Sequence, residues 1–545
     1  MFTRRNLFGI AASVSAAVAQ PESPGNQDDR AGQAYGIRVA AAGLERDAVL
    51  PDHPDNGDEE RFASRIGNFS KGLPHNDLGE VDPAAYNVLR NALVRGADQN
   101  ELEKVPMGAS SASLQRKLVD PCAGACFDLQ GADSHHLAMP PAPGVMSAET
   151  AGEMVELYWQ ALLRDVPFAA YGYDPLTRVA AADLSRLSDF RGPKIGGAVT
   201  SGTLFRGFTA GDAVGPYLSQ FLVRAVPFGP QAFEQRLRTT LPGIDFGTNY
   251  AEWLSLQSGN APLRNVAYDS VRPLIRNGRD LGQWVHVDVL YQAYFNAMLI
   301  LLAAPDASDS VTGGGMGIAF NFGNPYLRSR TQEGFATFGA PAIAAAVAEV
   351  STRALKAVWY QKWLVHRRLR PEAYGGLVHN TLTTTPGKYA LNPDVLNSGA
   401  LQRVKEKFGT YLLPLAFPEG SPLHPSYGAG HATTAGACVT ILKAFFDDTA
   451  AIVNPVMPSP DGSMLIPYTG DDAGQMTVGG ELNKVASNVA LGRNFAGVHW
   501  RSDYVESLRL GEQIAISVLR DQRLTYAQNF AGYTFTRFDG TRITV

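Results

Sequence analysis

The stretch "HPSYGAGHATTAGACVTILKAFF", His424 to Phe446, decides how this chain is read. A chain with only 10 histidines places two of them seven residues apart, around glycines and directly ahead of an apolar run. The run predicts a buried helix, and "GAGH" breaks the chain just before it. The backbone N–H groups around Gly430 and His431 then lie at a helix N-terminus, where unsatisfied amides favour a bound anion.

Working outward, apolar residues recur at helical spacing in "SAETAGEMVELYWQALLRD", "GDAVGPYLSQFLVRAV", "LGQWVHVDVLYQAYFNAMLILLAA", "APAIAAAVAEVSTRALKAVWYQKWLVHRRL" and "GELNKVASNVALGR" through "SDYVESLRLGEQIAISVLRDQ". Residues 146–545 are therefore expected to form a mainly α-helical catalytic domain. Residues 20–145 are rich in Asp, Gly, Pro and Asn, carry short helical patches such as "AYGIRVAAAGLERDAVL", and end at the breaker cluster "MPPAPG". They read as an arm or wrapping layer. Glycine-rich "VTGGGMGIAF" lacks the strand–helix context and the G-K-[ST] ending of a phosphate loop, and reads as a mobile loop.

Composition narrows the partners. At 545 residues, 45% hydrophobic and 18% charged, the chain can bury a large core. A net charge of −5 gives no basic footprint for nucleic acid. No segment reaches the ~18 apolar residues of a membrane span, and "AMLILLAA" reads as a buried helix. The N-terminal "MFTRRNLFGIAASVSAAVAQ", with Arg4-Arg5 and Ala17-Val18-Ala19, resembles a twin-arginine export signal over residues 1–19, cleaved before Gln20, which implies a periplasmic or secreted protein. An ordinary cytoplasmic N-terminal helix is the alternative. Three cysteines encode no disulfide scaffold. Cys122 and Cys126 are either surface thiols or a disulfide within or between subunits, and Cys438 reads as a small core residue.

Two further clusters join the opening motif. In "WYQKWLVHRRLRPEAYGG" Lys362 and Arg370 stand eight residues apart, so on one helix both point to one side, with Pro371 stopping the helix. In "NVALGRNFAGVHWRSDYVES" Arg493 is followed six residues on by His499, and then by Asp503. Alone, the first is ordinary helix-end charge and the second a core histidine. Together Lys362, Arg370 and Arg493 offer three fixed charges, a helix N-terminus offers amides, and His424, His431 and His499 offer imidazoles. A tetrahedral or trigonal-bipyramidal oxyanion needs that set.

The order K-x7-R-P, P-S-Y-G-x-G-H, G-R-x5-H-x3-D resembles the superfamily shared by vanadium-dependent haloperoxidases and bacterial-type acid phosphatases. "ALKAVWYQKWLVHRRLRPEA", "FPEGSPLHPSYGAGHATTAGACVTILKAFFD", "GELNKVASNVALGRNFAGVHWRSDYVESLRLGEQIAI", "FRGFTAGDAVGPYLSQFLV", "WVHVDVLYQAYFNA" and "FSKGLPHND" are similar to red-algal-type vanadium bromoperoxidases over nearly the whole chain after residue 30.

The resemblance implies two packed helical bundles with long loops and minor β. It implies vanadate bound through His499, with Lys362, Arg370, Arg493 and the Gly430 amide neutralising its oxygens. His431 would be the acid–base group, Lys362 would polarise peroxide, and His424 would tune His431 or the halide pocket. Asp288 resembles a carboxylate that orients an active-site arginine, and Asp503 would orient His499. Hydrogen peroxide, bromide or chloride, and a small organic acceptor would be the substrates, with no haem or flavin. A large homo-oligomer, often a dodecamer, is implied, to which Cys122 or Cys126 would add intersubunit disulfides in an exported protein.

Two positions depart from that pattern. Ala429 stands where the family usually has Ser, removing a hydroxyl donor worth on the order of 1.5–3 kcal/mol of vanadate affinity. Trp359 stands where red-algal enzymes tend to have Arg, and either favours chloride by lining the pocket or packs in the core. The rival functions are a phosphatase with a phosphohistidine at His499 and a non-catalytic oxyanion-binding protein.

Overall fold

A computed structural model describes residues 27–305 and 315–545. The helix decided by the opening stretch, Gly430–Phe445, is buried at every position except His431, as expected of a helix that is apolar all round. It crosses the helix Arg501–Arg523 very closely, because a Cβ at Gly436 would stand 2.2 Å from the Leu508 carbonyl oxygen and one at Gly511 2.1 Å from that of Thr433. Only glycine permits that approach. The helices Ala340–Tyr360 and Val478–Phe495 pack on its other sides and complete a four-helix bundle.

A second helical group is built on Ala148–Leu162, which packs against Pro175–Ser185, Pro393–Leu396 and Gly399–Phe408. The Ser147 side chain caps its first turn by accepting the Thr150 N–H at 3.1 Å. Strands are confined, among the described residues, to three two-stranded antiparallel ribbons, Val226–Phe228 with Gln231–Phe233, Val456–Pro458 with Leu465–Pro467, and Thr534–Thr536 with Arg542–Thr544. The protein is mainly α with minor β. Its main core, from Leu137 to Phe538, runs through both helical groups.

Three helices expected from periodicity are different. "GDAVGPYLSQFLVRAV" folds as turns, a 3-10 turn at Gln220–Leu222 and the start of a ribbon, because Gly211 and Gly215 adopt φ of 92° and 75° and Pro216 follows. "LGQWVHVDVLYQAYFNAMLILLAA" splits into Gly278–Trp284 and Gln292–Leu302. Its middle, with Val285, Val287 and Val289 at alternate positions, is β-branched and poor in helix formers. Lys362 and Arg370 do not share a helix face. The Ala340–Tyr360 helix continues as a π-helical turn, Gln361–His366, and ends where Arg367 takes φ 41°. Arg370 then caps Pro371–Thr383, so Pro371 starts a helix at its first position instead of stopping one.

Residues N-terminal to the bundles run across their surface. Phe69 N–H donates to the Arg367 carbonyl at 2.7 Å, Gly131 N–H to Asp521 Oδ2 at 2.7 Å, and Gln361 Nε2 to the Leu137 carbonyl at 2.6 Å. The helix Gln27–Arg46 is mostly exposed. The export-signal residues 1–19 lie outside the described residues, as does Val311–Gly314 of the glycine-rich stretch. Its continuation packs on the Gln292–Leu302 helix, with Met316 N–H donating to the Ile300 carbonyl at 2.7 Å. No helix among the described residues is long and apolar enough to cross a membrane.

Candidate active site

Chain breaks, not helix faces, bring the site together. Lys362 comes from the π-helical turn, Arg370 from the break before Pro371, His424 from the loop ahead of Gly430–Phe445, and Arg493 from the last turn of Val478–Phe495. His499 follows in the link to Arg501–Arg523. Lys362, Arg370, His424, Arg493 and His499 are all buried.

The cations there have no carboxylate partners among the described residues. Lys362 Nζ donates to the carbonyls of Pro425 at 2.7 Å and Ser426 at 3.1 Å. Arg370 donates to the carbonyls of His424 at 2.9 Å and Val498 at 2.7 Å, and approaches His499 Nε2 at 3.0 Å and His424 Nδ1 at 2.8 Å. Arg493 donates to the Val285 carbonyl at 2.8 Å, and its buried Nε has no partner among the described residues. Burial, reinforced by Arg370 and Arg493, pulls the Lys362 ammonium well below its ordinary pKa. Burial and the three cations likewise hold His499 well below the ordinary imidazole value, so it is neutral.

A neutral imidazole carries one ring proton, and its place is fixed here. His499 Nδ1 lies 2.8 Å from Asp503 Oδ2, a carboxylate that only accepts, so the proton sits on Nδ1 and Nε2 keeps its lone pair. Asp503 also accepts the Trp500 N–H at 3.0 Å and pairs with Arg368 at 3.0 Å. Burial raises its pKa while Arg368 and the Trp500 amide oppose the rise.

His431 stands apart as the histidine at the edge of the site, its side chain 21% exposed and its Nε2 3.1 Å from Asp288 Oδ1. Asp288 was expected to orient an arginine. Its hydrogen-bonded partner is His431, because it sits in the turn between two short helices that faces the start of Gly430–Phe445. Burial raises the Asp288 pKa, His431 and then Arg493 lower it, and the net shift is downward.

Trp359 lines this pocket. Its ring centroid is 4.9 Å from that of His424 and 5.6 Å from Lys362 Nζ, and a Cβ at Gly430 would meet the indole at 3.1 Å. Its Nε1 donates to the Val119 carbonyl at 3.1 Å. Ala429 is the N-cap of Gly430–Phe445 without a capping side chain, and its N–H donates to Ser507 Oγ at 2.7 Å. Cys438 is a buried core residue, while Cys122 and Cys126 are free thiols with no disulfide between them.

Several supporting residues escaped the sequence reading. Arg368, which holds Asp503, is itself held by Glu153 at 2.9 Å and Ser502 Oγ at 2.8 Å. Glu153 and Glu156 were readable, since two carboxylates on the apolar stripe of "SAETAGEMVELYWQALL" demand buried cationic partners; Glu156 pairs with Arg501. The pair His286–Glu419, at 2.6 Å, and Phe417, stacked on His286 with centroids 3.8 Å apart and 5.2 Å from the Arg493 guanidinium, gave no such signal.

Three buried cations without a carboxylate partner among the described residues, and a histidine with one oriented lone pair, form a pocket suited to an oxyanion in a helical-bundle fold. The donor set fits vanadate, which brings the negative oxygens those cations lack and accepts a nitrogen ligand.

Residues 342–525 match the family model described as the VCPO second helical-bundle domain. The vanadium-dependent bromoperoxidase of Corallina pilulifera is 37% identical, over 95% of this chain and 99% of its own. That of Ascophyllum nodosum is 34% identical, over 95% and 92%. The homohexameric structure of the second vanadate-dependent bromoperoxidase from Ascophyllum nodosum superposes with a TM-score of 0.87 at 32% identity, covering 99% of this chain and 94% of that one. The chain belongs to the vanadium-dependent bromoperoxidase family.

Proposed function

We propose that this protein is a vanadium-dependent haloperoxidase that oxidises bromide, and chloride more slowly, with hydrogen peroxide to hypohalous acid. The observation that carries it is the buried cluster of Lys362, Arg370 and Arg493, whose hydrogen-bond partners among the described residues are carbonyls and imidazoles. Vanadate, when bound, supplies Lewis-acid activation of peroxide without changing its own oxidation state.

The residues divide the remaining work. His499 would be the ligand through Nε2, which now accepts from Arg370 at 3.0 Å, with Asp503 holding the proton on Nδ1. Lys362, Arg370, Arg493 and the Gly430 N–H neutralise oxyanion charge. His431, supported by Asp288 and open to solvent, takes a proton from entering peroxide and returns it to the oxygen that leaves as water. Lys362 donates a charge-assisted hydrogen bond to the peroxide oxygen that the halide attacks. His424, bonded to Arg370, keeps that guanidinium aimed at the anion. The balance is peroxide, bromide and one proton to hypobromous acid and water, and an organic acceptor then takes the bromine.

A homo-oligomer fits the homohexameric relative and the exposed Gln27–Arg46 helix, which is too poorly packed to stand alone. Neither feature calls for twelve copies. An intersubunit bridge through Cys122 or Cys126 predicts dimer bands on a non-reducing gel. Export through the twin-arginine segment predicts a mature chain beginning at Gln20.

The test is bromination of monochlorodimedone by metal-stripped protein before and after orthovanadate, with p-nitrophenyl phosphate alongside. Vanadate-dependent bromination that excess phosphate abolishes is expected. Phosphate-ester hydrolysis inhibited by vanadate, with no bromination at saturation, would replace this function with a phosphatase.

A further inference from the structure

Beside the site lies a cleft of about 430 Å³, walled by Phe233, Arg238, Tyr268, Trp284, Val287 and Asp288, within the roughly 300–1,000 Å³ usual for small-molecule sites. Asp288 is shared, because the residue that lines the cleft is the one whose buried side chain, 5% exposed, holds His431. One residue, Asp288, therefore separates the cleft from His431, the partly exposed histidine of the site. Its rim exposes apolar side chains, with Val287 at 69% and Phe233 at 41%.

Its charges leave one cation over. Glu234 pairs with Arg236, which also donates to the Ser463 carbonyl at 2.9 Å, and Asp288 pairs with His431. Arg238 is exposed, has no carboxylate partner among the described residues, and sits over Tyr268 with its guanidinium carbon 3.5 Å from the ring centroid. An aromatic floor and a guanidinium over its face, without a carboxylate partner among the described residues, fit a planar ring bearing a carboxylate.

We propose that this cleft binds the organic acceptor, and that it prefers electron-rich aromatic anions such as a hydroxybenzoate. The inference rests on the haloperoxidase function proposed above. Held there, the ring carbon meets hypobromous acid as it leaves the site. A carbon–bromine bond forms, the oxygen–bromine bond breaks, and the ring proton departs with the hydroxide as water.

The test uses the vanadate-loaded full chain with 4-hydroxybenzoate and neutral 4-methylphenol as paired acceptors. The wild type is expected to show saturable bromination of 4-hydroxybenzoate. Arg238→Gln should raise the KM for 4-hydroxybenzoate relative to 4-methylphenol about fivefold, the upper end for an exposed charge pair. Val287→Glu, which places like charge at the rim, should shift the ratio the same way and guards against a local effect of the first variant. Equal shifts for both acceptors, or rates independent of acceptor concentration, would mean free hypobromous acid reacting in bulk and would overturn the proposal. Bromide-dependent peroxide consumption by the wild type without any acceptor separates the two levels: its presence leaves the enzyme function standing when the cleft fails, and its absence removes both.

Discussion

Asp503→Asn isolates the orientation of His499. In the wild type Asp503 is fully buried, accepts His499 Nδ1–H at 2.8 Å and the Trp500 N–H at 3.0 Å, and pairs with Arg368 at 3.0 Å. Asparagine matches the shape but removes the charge, and its amide can turn N–H toward His499. That rotamer drives the imidazole proton to Nε2 and blocks the ligand position. Loss of such a supporting partner typically weakens a metal site about 10–100-fold, or ~1.4–2.8 kcal/mol. Breaking a buried ion pair costs roughly 3–5 kcal/mol of stability, here moderated because Arg368 keeps Glu153 at 2.9 Å. The assay is equilibrium dialysis of metal-stripped protein against orthovanadate, with thermal unfolding in parallel. Unchanged vanadate affinity alongside a lowered Tm would refute the tautomer logic and leave Asp503 as a fold residue only.

Ala429→Ser returns a hydroxyl to the N-cap and is expected to tighten vanadate roughly 10–150-fold in the same dialysis. Trp359→Arg should lower the chloride-to-bromide rate ratio, because the indole it removes packs on His424 and Lys362; an unchanged ratio with a lower Tm would make Trp359 a packing residue. His366 is buried with neither ring nitrogen hydrogen-bonded among the described residues, and burial, aided by Arg367, lowers its pKa to about 3. Since the unfolded value is ~6.5, the unfolded chain takes up the proton first, and stability is lost as pH falls below 6.5, by roughly 3 kcal/mol at pH 4. His366→Leu should flatten that acid limb in denaturant titrations at pH 4 and pH 7.

The bundle and the site chemistry were legible for the same reason. The apolar run after His431 has one structural outcome, and the residues ahead of it have one chemical theme. What sequence periodicity missed were chain breaks. Gly211, Gly215 and Pro216 overrule the apolar spacing of their segment, and the valines around Asp288 interrupt a helix that hydropathy alone would continue. Asp288 shows the consequence for function. Read on a helix, its direction is undetermined; in a turn it reaches His431. Arg368 was hidden for a different reason, since its partners Glu153 and Asp503 lie 215 and 135 residues away.

Placing the site at these breaks answers an energetic problem. Three cations buried together repel one another and lose hydration, a cost that a helix interior cannot offset because its carbonyls are already used. Carbonyls at breaks are free, and the chain spends them here: Pro425, Ser426, His424, Val498 and Val285 all direct oxygen at Lys362, Arg370 or Arg493. Neutral oxygens solvate the cations without cancelling them. A carboxylate at any of those places would satisfy the charge and leave nothing for an oxyanion to bind. Two carboxylates stand one residue further out, Asp503 behind His499 and Asp288 behind His431, where each hydrogen-bonds an imidazole and its charge acts on Lys362, Arg370 or Arg493 through space, without occupying the place of an oxyanion.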